Sequence, residues 1–414
     1  MSDWYHHPMA GVRRDRSIAV HDYSGHPFQV QLSRELARRG HRVTHYHCPS
    51  FSTPKGNLEV TADDPATLRI EEVRLRRTFA KYSGVKRFVQ EIEYGWRLGR
   101  RLRKARPAVV LSSNTPLLAA GVLQAILLLS RIPVVFWQQD VYSVAMANHA
   151  KEQLPRLGPI VAAVLTRLEK VLLTSSRQVV TISADFLDTL GSWGVDPSRV
   201  HVVENWAPLD ELPVRPRTNP WAARHGLDGK TVFLYSGTLG LKHDPSLLVS
   251  LAECLEERGD ACVVVASEGR GADWLRANAG HLSSLRLLGF QPYEDLPDMM
   301  ASADVLVALL ESGASCFSVP SKVLTYHCAG RAILAALPDE NLAARIIEGQ
   351  GSGIVVSPES HDALVAAARK LAENEDLCVS MGEAARAYAL QTFDITRIAT
   401  RFETIVERAA APTR

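Results

Sequence analysis

The chain has 414 residues, of which 46% are hydrophobic and 22% charged, and its formal net charge is +2. This length predicts two or three domains, and the composition excludes a disordered or fibrous protein. The six Cys are scattered without any Cys-x-x-Cys spacing. That pattern argues against a structural zinc site and a disulfide framework, and it indicates a reducing compartment.

Neither a leader nor a membrane span is predicted from the sequence. Residues 1–16 contain no apolar core of the kind that a signal peptide has. The apolar run at 117–129 is shorter than the roughly 20 residues that cross a bilayer, so it predicts a buried helix. We therefore expect a cytoplasmic protein.

The first half of the chain alternates predicted strands with predicted helices. Polar loops follow several of these strands, and open α/β sheets bind ligands at the carboxyl ends of their strands. Candidate site residues are therefore Asp22, Ser24, Gly25, His26 and Asp140, although either His of the first loop could equally be a plain loop residue. The predicted strands lie at 17–21, 42–46, 108–111, 134–137, 178–182 and 200–203, and the predicted helices at 28–39, 117–129, 160–173 and 183–190.

A Pro-rich segment without periodicity predicts a linker at 209–220. We expect an N-terminal domain at 1–208, a C-terminal domain at 221–394 and an amphipathic C-terminal helix at 395–414. The second half repeats the α/β pattern, with predicted strands at 231–235, 261–266, 285–288, 303–310 and 332–337. The predicted fold class is α/β, with two Rossmann-like domains facing a central cleft.

The segment 303–338 predicts a site for an anion. A buried strand and a loop of small residues lead to Pro320-Ser321-Lys322, which begins a helix that ends at Gly330. A helix N-terminus attracts phosphate, and a Lys in the first turn adds positive charge. The alternative is an ordinary helix start with a solvated Lys.

The second half contains an ordered set of short motifs. They are Gly237-Thr238-Leu239-Gly240 with Lys242, Glu268-Gly269, Gly289-Phe290, Ala303-Asp304, Pro320-Ser321-Lys322 and Gly330-Arg331. Their order resembles that of retaining glycosyltransferases with the GT-B fold and, more narrowly, of family four in the branch of colanic-acid and O-antigen enzymes. The Gly25 loop, the Gln139-Asp140 strand end and Asn205-Trp206 agree with this resemblance, which covers nearly the whole chain.

The resemblance implies a nucleotide-sugar donor in the C-terminal domain and an acceptor in the N-terminal domain, with neither a divalent metal nor a cofactor. Lys242 and Lys322 would then stabilise the departing diphosphate. An inverting enzyme would also need a base, for which Asp22, His26 and Asp140 are candidates. The implied donor-binding residues are Gly237, Thr238, Gly240, Glu268, Ser321 and Thr325, and the implied acceptor-side residues are Asp22, Ser24 and Gly25.

Two positions depart from the family pattern. Thr238 stands where many members have an Arg, and Thr325 stands where many have a Glu that grips the donor. The earlier acidic partner of that Glu would fall near Phe317.

The charge is unevenly distributed. Residues 1–210 carry 28 Lys and Arg against 19 Asp and Glu, a balance of +9, and the remainder carries −7. The basic excess is densest at 69–106, where aromatic residues are interleaved, which is typical of a surface on anionic lipid or nucleic acid. The alternative is a solvated helix face. We expect an anionic membrane surface and a glycan or polyprenyl-linked acceptor as partners, and no nucleic acid.

Two other functions remain open from the sequence. A GT-B-type nucleotide-sugar epimerase would share the fold but would need no acceptor. A non-enzymatic membrane or nucleic-acid-binding module would use only residues 69–106 and would leave the loops of the second half without a role.

Overall fold

The computed structural model describes residues 16–50, 55–76, 84–143, 158–240, 243–312 and 319–412. Two fully parallel sheets organise these residues, one in each half of the chain. The α/β class with two Rossmann-like units is therefore confirmed.

The first sheet has seven strands in the order β3-β2-β1-β4-β5-β6-β7. Its central strands are continuous apolar runs because helices cover both faces of a parallel sheet. Sequence analysis did not predict β3, a half-buried edge strand with only two apolar residues. The strands are β1 Ser17–Asp22, β2 Arg42–His47, β3 Leu68–Glu72, β4 Val109–Ser113, β5 Val134–Gln138, β6 Gln178–Thr181 and β7 Val200–Val202.

The helices of this half are α1 Pro27–Arg38, α2 Gly84–Ala105, α3 Leu117–Leu129, α4 Gly158–Ser175 and α5 Leu187–Ser192. The apolar run at 117–129 is the helix α3, packed against α2 and α4. Among the helices that the structure describes, none is both long and apolar enough to cross a membrane.

The second sheet has six strands in the order β10-β9-β8-β11-β12-β13. They are β8 Thr231–Ser236, β9 Ala261–Ala266, β10 Leu285–Leu288, β11 Val305–Leu309, β12 Ala332–Ala336 and β13 Gly353–Val356. The helices are α6 Pro220–Arg224, α7 Ser246–Glu256, α8 Arg270–Ala279, α9 Leu296–Ala301, α10 Ser321–Ala329, α11 Leu342–Gln350, α12 His361–Ala372, α13 Glu375–Thr392 and α14 Ile395–Ala410.

The two halves share buried apolar contacts. Leu324 of α10 and Tyr388 of α13 lie in the same core cluster as Trp206, which follows β7. The Arg345 guanidinium of α11 bonds to the Asp185 carboxylate, which lies after β6, at 2.6 Å. The start of α10 is thereby held close to the first sheet.

The last helix, α14, returns to the first half of the chain. It packs on α1 and β5, and its apolar stripe is buried in the core of the first sheet. Phe402 lies 4.6 Å, centroid to centroid, from the Trp137 ring. The Arg39 guanidinium donates to the Glu403 carboxylate at 2.6 Å and fixes the register of α14 on α1.

We expect Phe402→Ala to lower the free energy of unfolding of the first half by about 3–5 kcal/mol, because it leaves a cavity beneath two Trp rings. Urea unfolding followed by Trp fluorescence would measure the loss. The control is Arg397→Ala on the exposed side of α14, whose side chain is 77% exposed. That control should change stability by less than about 0.5 kcal/mol. Equal effects of the two changes would contradict the packing described for α14.

Candidate active site

Asp22 organises the polar edge of the first sheet. Its carboxylate is fully buried at the end of β1 and accepts hydrogen bonds from the backbone N–H groups of Ser24 and His26. Burial opposes its ionisation, but the His26 imidazole, His45 and the His26 backbone hydrogen bond lower the pKa of Asp22 below its usual value. Because no part of Asp22 reaches solvent, it acts on the surroundings through His26.

His26 is the exposed member of this pair. Its Nδ1 lies 3.3 Å from Asp22 Oδ1, and its side chain is 27% exposed. None of its described contacts involves Nε2, which leaves that atom for a ligand. Burial disfavours the imidazolium, yet the Asp22 carboxylate and the more distant Asp140 raise the pKa of His26 above its ordinary value.

Two further residues hold Asp22 and were not assigned a role from the sequence. Asn114 follows β4 with φ of 52°, and its Nδ2 lies 3.3 Å from Asp22 Oδ1. In the amide orientation that satisfies both its atoms, Gln29 donates to Asp22 Oδ2 at 2.6 Å and accepts from Ser113 Oγ at 2.6 Å. The only sequence signal for Asn114 was the polar run after β4. Its contact with Asp22 could not be predicted, because that contact requires β1 and β4 to be neighbours in the sheet.

Ser24 and Gly25 lie in the loop between β1 and α1, next to Asp22 in the sequence. Ser24 is buried, and the Gly25 carbonyl accepts a hydrogen bond from the Gly56 N–H at 3.0 Å. These two predicted acceptor-side residues therefore lie beside the Asp22–His26 pair.

Asp140 lies in the loop after β5 and is half-buried. This loop is anchored by Glu169 of α4, whose buried carboxylate accepts hydrogen bonds from the backbone N–H groups of Tyr142 at 3.1 Å and Ser143 at 2.8 Å. Burial raises the pKa of Glu169. Asp140 and His26 thus share the carboxyl edge of the first sheet.

Lys322 is the central residue of the second half's edge. Its ammonium lies 3.6 Å from the centre of the Tyr235 ring, a cation–π contact. Nζ is buried and has no hydrogen-bond partner among the described residues. Burial lowers the pKa of Lys322 well below its usual value. A buried, unpaired ammonium is costly unless a ligand supplies the anion.

The start of α10 is anchored to the sheet by Tyr326. The Tyr326 hydroxyl accepts from the Ser236 N–H at 3.2 Å and donates to the Val307 carbonyl at 3.0 Å. These bonds connect α10 to β8 and β11 at once, so the position of Lys322 is set by both strands.

The loop after β8 is shaped by close backbone packing. Gly237 has φ of 113°, a conformation that side chains disfavour, and it lies against the Lys322 side chain. At Gly271, in the first turn of α8, a Cβ would lie 2.6 Å from Leu239 Cγ, so only Gly lets this helix start approach the loop after β8 so closely. The predicted donor-binding residues Thr238 and Gly240 lie in the loop after β8.

The remaining predicted donor residues occupy the same edge. Glu268 is exposed after β9 and lies next to Gly289, which follows β10. Ser321 is exposed at the start of α10, and Thr325 is half-buried one turn later. Lys242 and Phe317 lie outside the described residues. Within the described part of the chain, no group of three His, Cys, Asp or Glu side chains could hold a metal ion.

Two parallel Rossmann-like sheets with polar carboxyl edges at a shared cleft define the GT-B class of proteins. Residues 28–211 match the family described as Glycosyltransferase Family 4, and residues 218–388 match Glycosyl transferases group 1. Together these matches cover most of both halves. The chain belongs to the family-four glycosyltransferases.

Two curated relatives are similar in sequence. WcaI of Escherichia coli (strain K12), named as a colanic acid biosynthesis glycosyl transferase, is 26% identical over 253 residues, 59% of this chain. WbjE of Pseudomonas aeruginosa, named as a glycosyltransferase, is 26% identical over 265 residues, 63% of this chain. The matched regions span 60% and 65% of the two relatives' lengths.

Two solved structures have the same fold. Anabaena Alr3699/HepE, in complex with UDP and glucose, superposes with a TM-score of 0.68 at 15% identity, covering 95% of this chain and 99% of that one. Sucrose-phosphate synthase from Thermosynechococcus elongatus gives 0.70 at 14% identity, covering 95% and 98%. At these identities the likeness shows the fold alone.

The buried His residues beside Asp22 should make the protein sensitive to acid. Burial lowers the pKa of His21 to about 3 and that of His45 to about 4. In the unfolded chain, imidazoles take up protons below about pH 6.5. The unfolded state therefore binds more protons between about pH 4 and 6.5, and the free energy of unfolding falls as the pH falls through that window.

We expect this fall to approach about 1.4 kcal/mol per pH unit for each of the two His. Urea unfolding at pH 6.5, 5.5 and 4.5 would measure it. His45→Gln should reduce the slope by the contribution of one His, and Asn278→Gln, which changes an exposed amide on the surface, is the control. A slope that His45→Gln does not alter would contradict the assignment.

Proposed function

We propose that the protein transfers a sugar from a nucleotide-sugar donor to a glycan or polyprenyl-linked acceptor in the synthesis of a cell-surface polysaccharide. The observation that carries this proposal is the buried, unpaired Lys322 ammonium at the start of α10. The colanic acid name of the relative WcaI supports the polysaccharide, and the UDP and glucose bound in HepE support a UDP-sugar as the first donor to test.

The proposed role of Lys322 is to stabilise the diphosphate as the glycosidic bond breaks. The leaving group gains negative charge in the transition state, so a preorganised cation lowers the barrier, typically by several kcal/mol. The N-terminus of α10 adds a partial positive charge at the same place. Lys242 is proposed as a second cation, and the donor-binding roles of Gly237, Thr238, Gly240, Glu268, Ser321 and Thr325 stay proposals of the same kind. We propose that this charge stabilisation needs no divalent metal.

On the acceptor side, we propose transfer with retention of configuration, in which His26 acts as a hydrogen-bond donor instead of a base. An imidazole that holds its proton is suited to donate a hydrogen bond from Nε2 to a substrate oxygen. The acceptor proton would then pass to the leaving phosphate, as a front-face mechanism requires. Asp22 would hold the ring, and Asp140 would add negative charge nearby.

A membrane-bound acceptor is supported by one surface of the first half, which we name the exposed helical face. It consists of outward-facing apolar side chains on the adjacent helices α2, α3 and α4, accompanied by basic residues. The Arg100 guanidinium lies over the Trp96 ring at 4.8 Å. The apolar members are Phe88, Val89, Ile92, Trp96, Leu128, Leu129, Ile160, Val161, Val164 and Val171.

This face has the composition of an interfacial membrane surface. Leu129 is 88% exposed, Ile160 62% and Val164 60%, values that are unusual for side chains with no partner in an aqueous protein. Each nearby Lys or Arg adds about 1 kcal/mol of attraction to anionic lipid. We therefore propose a cytoplasmic protein that lies peripherally on the inner face of the membrane.

We expect Lys322→Met to weaken nucleoside-diphosphate binding about a hundredfold, because the substituted side chain keeps the apolar contacts and loses the charge. Calorimetric titration with UDP and GDP, in buffer containing EDTA, would measure the change. Lys370→Met, at an exposed site on α12, is the matched control and should bind as the original protein does. Equal affinity in the original and the Lys322→Met protein would refute the assignment.

The lowered pKa of Lys322 adds a second readout. Binding of the diphosphate should restore the proton, so UDP binding should take up protons and weaken as the pH rises. Titrations in buffers of different ionisation enthalpy would detect that uptake, which Lys322→Met should abolish. Incubating a UDP-sugar without acceptor separates transfer from epimerisation, since only an epimerase would yield an isomeric nucleotide sugar.

We expect the protein to float with vesicles containing anionic lipid at low salt and to be released at high salt, because salt screens the attraction. Replacing Arg100, Arg101 and Arg103 with Gln should reduce flotation several-fold. The double variant Ile160→Ser and Val164→Ser should do the same by removing apolar contact.

The control for this flotation experiment is Val379→Ser with Leu390→Ser on α13, at sites of 54% and 56% exposure that lie in the second half. These changes should leave flotation unaltered. If the original protein stays in the soluble fraction at low salt, the membrane proposal is wrong and a soluble acceptor becomes the better assignment.

A further inference from the structure

Two amide side chains form a direct pair at the carboxyl edge of the first sheet. Gln139 follows β5, and Asn205 lies three residues beyond β7. Asn205 Nδ2 donates to Gln139 Oε1 at 2.6 Å. Since β6 lies between β5 and β7, this bond crosses the end of β6 and lies at the rim of the sheet.

The pair leaves one donor and one acceptor unused. Gln139 Nε2 and Asn205 Oδ1 are both buried, and neither has a hydrogen-bond partner among the described residues. Reversing both amides would only exchange their roles, because a single bond between two amides always leaves one donor and one acceptor. Leaving a buried polar group unpaired is unfavourable, so the pair destabilises the ligand-free protein.

The pair is held rigidly from both sides. Asn205 precedes Trp206, whose Nε1 donates to Gln31 Oε1 at 2.8 Å and whose ring stacks on Trp137 at 5.9 Å. On the other side, the loop that carries Gln139 is fixed where Glu169 accepts the backbone hydrogen bonds of the residues that follow. The unpaired atoms therefore cannot turn easily to find partners within this part of the fold.

The pair also lies near the residues around His26 and around Lys322 that form the candidate active site. Asp140, the next residue after Gln139, lies near enough to His26 to raise the pKa of that imidazole. Trp206, next to Asn205, belongs to the same buried cluster as Leu324, which lies two residues after Lys322 on α10. A ligand that extends from Lys322 towards His26 would therefore pass this edge.

We propose that the Gln139–Asn205 pair binds a hydroxyl group of the transferred sugar. A sugar hydroxyl donates one hydrogen bond and accepts others, which matches the unused acceptor and donor side by side. The inference rests on the proposed function, because it takes the cleft to hold a nucleotide sugar. A pair of this kind discriminates strongly against a sugar that lacks the hydroxyl, since both amide atoms would then stay buried without partners.

The test compares nucleotide sugars with the nucleoside diphosphates that they contain. The probes are UDP and GDP, with UDP-glucose, UDP-galactose, UDP-N-acetylglucosamine and GDP-mannose, titrated calorimetrically. Gln139→Met and Asn205→Leu each remove the hydrogen-bonding groups while keeping similar volume. Both should lower the affinity for the preferred nucleotide sugar about 10- to 100-fold and leave the affinity for the nucleoside diphosphate unchanged.

The matched control is Gln178→Met, which changes a buried Gln at the opposite edge of the same sheet. Gln178 bonds to His201 at 2.7 Å and lies at the start of β6, away from the cleft. This control should not alter the affinity for any nucleotide sugar. Thermal unfolding of each variant would show that it is folded before it is titrated.

A second measurement varies the ligand as well as the protein. Deoxy analogues of the preferred nucleotide sugar, each lacking one hydroxyl, are titrated against the original protein and against Gln139→Met. One analogue should bind the original protein 10- to 100-fold more weakly, and that loss should be absent in the variant. The position of the missing hydroxyl would identify the group that the pair binds.

The outcomes separate the two proposals. If the original protein binds no nucleotide of the panel, the proposed function fails and this inference fails with it. If it binds nucleotide sugars but the variants bind them equally well, only the role of the amide pair is overturned. If nucleoside-diphosphate affinity falls in parallel with nucleotide-sugar affinity, the pair supports the cleft structurally and contacts no sugar.

Discussion

The architecture of the cleft depends on one buried lysine. Lys322 lies on the face of Tyr235 and against Gly237, and the Tyr326 hydroxyl fixes its helix to two strands of the second sheet. A shift of α10 would break these contacts together. The buried Lys322 amine has no hydrogen-bond partner among the described residues, which destabilises the ligand-free protein. The surrounding fold must offset this loss of stability. The fully buried strands β11 and β12 beside α10 supply this support.

The buried ionisable group of the first sheet, Asp22, is hydrogen-bonded, in contrast to Lys322. Asp22 is buried, but backbone N–H groups, His26, Gln29 and Asn114 satisfy it. The negative charge is thus held in place before any substrate arrives, and only the imidazole edge is presented outward. One wall of the cleft therefore carries an unpaired lysine that gains its charge with an anionic ligand, and the other carries a hydrogen-bonded carboxylate. This division suits a substrate whose anionic part and neutral sugar lie against different walls.

Much of the fold could be predicted from the sequence because it depends on local periodicity. The bounds of α3 and β9 agree with the apolar runs at 117–129 and 261–266, and the helix at Ser321 begins where the Pro-Ser-Lys signal places it. The α/β class and the family are confirmed as well. The edge strand β3 was missed because its apolar residues are few, and the docking of α14 on α1 is a long-range contact that amphipathicity alone does not specify.

The candidate site was predictable only in part. Loop residues after strands, such as Asp22, His26 and Lys322, can be found because open parallel sheets place ligands there. Asn114 and the pairing of Gln139 with Asn205 could not be found, because they depend on which strands become neighbours. The sequence gives the residue types at these positions, but which of them contact each other depends on the order of the strands in the sheet. The roles of these residues remain predictions, as do the domain bounds.

The return of α14 to the first sheet also has a consequence for synthesis on the ribosome. The core around Trp137 and Trp206 lacks Phe402, Ile405 and Val406 until α14 has been made. The apolar surface of the first half that binds α14 therefore stays exposed to solvent while the second half is synthesised. The core of the N-terminal half is completed only when α14 docks. A chain truncated before α14 would expose this apolar surface and would be prone to aggregate.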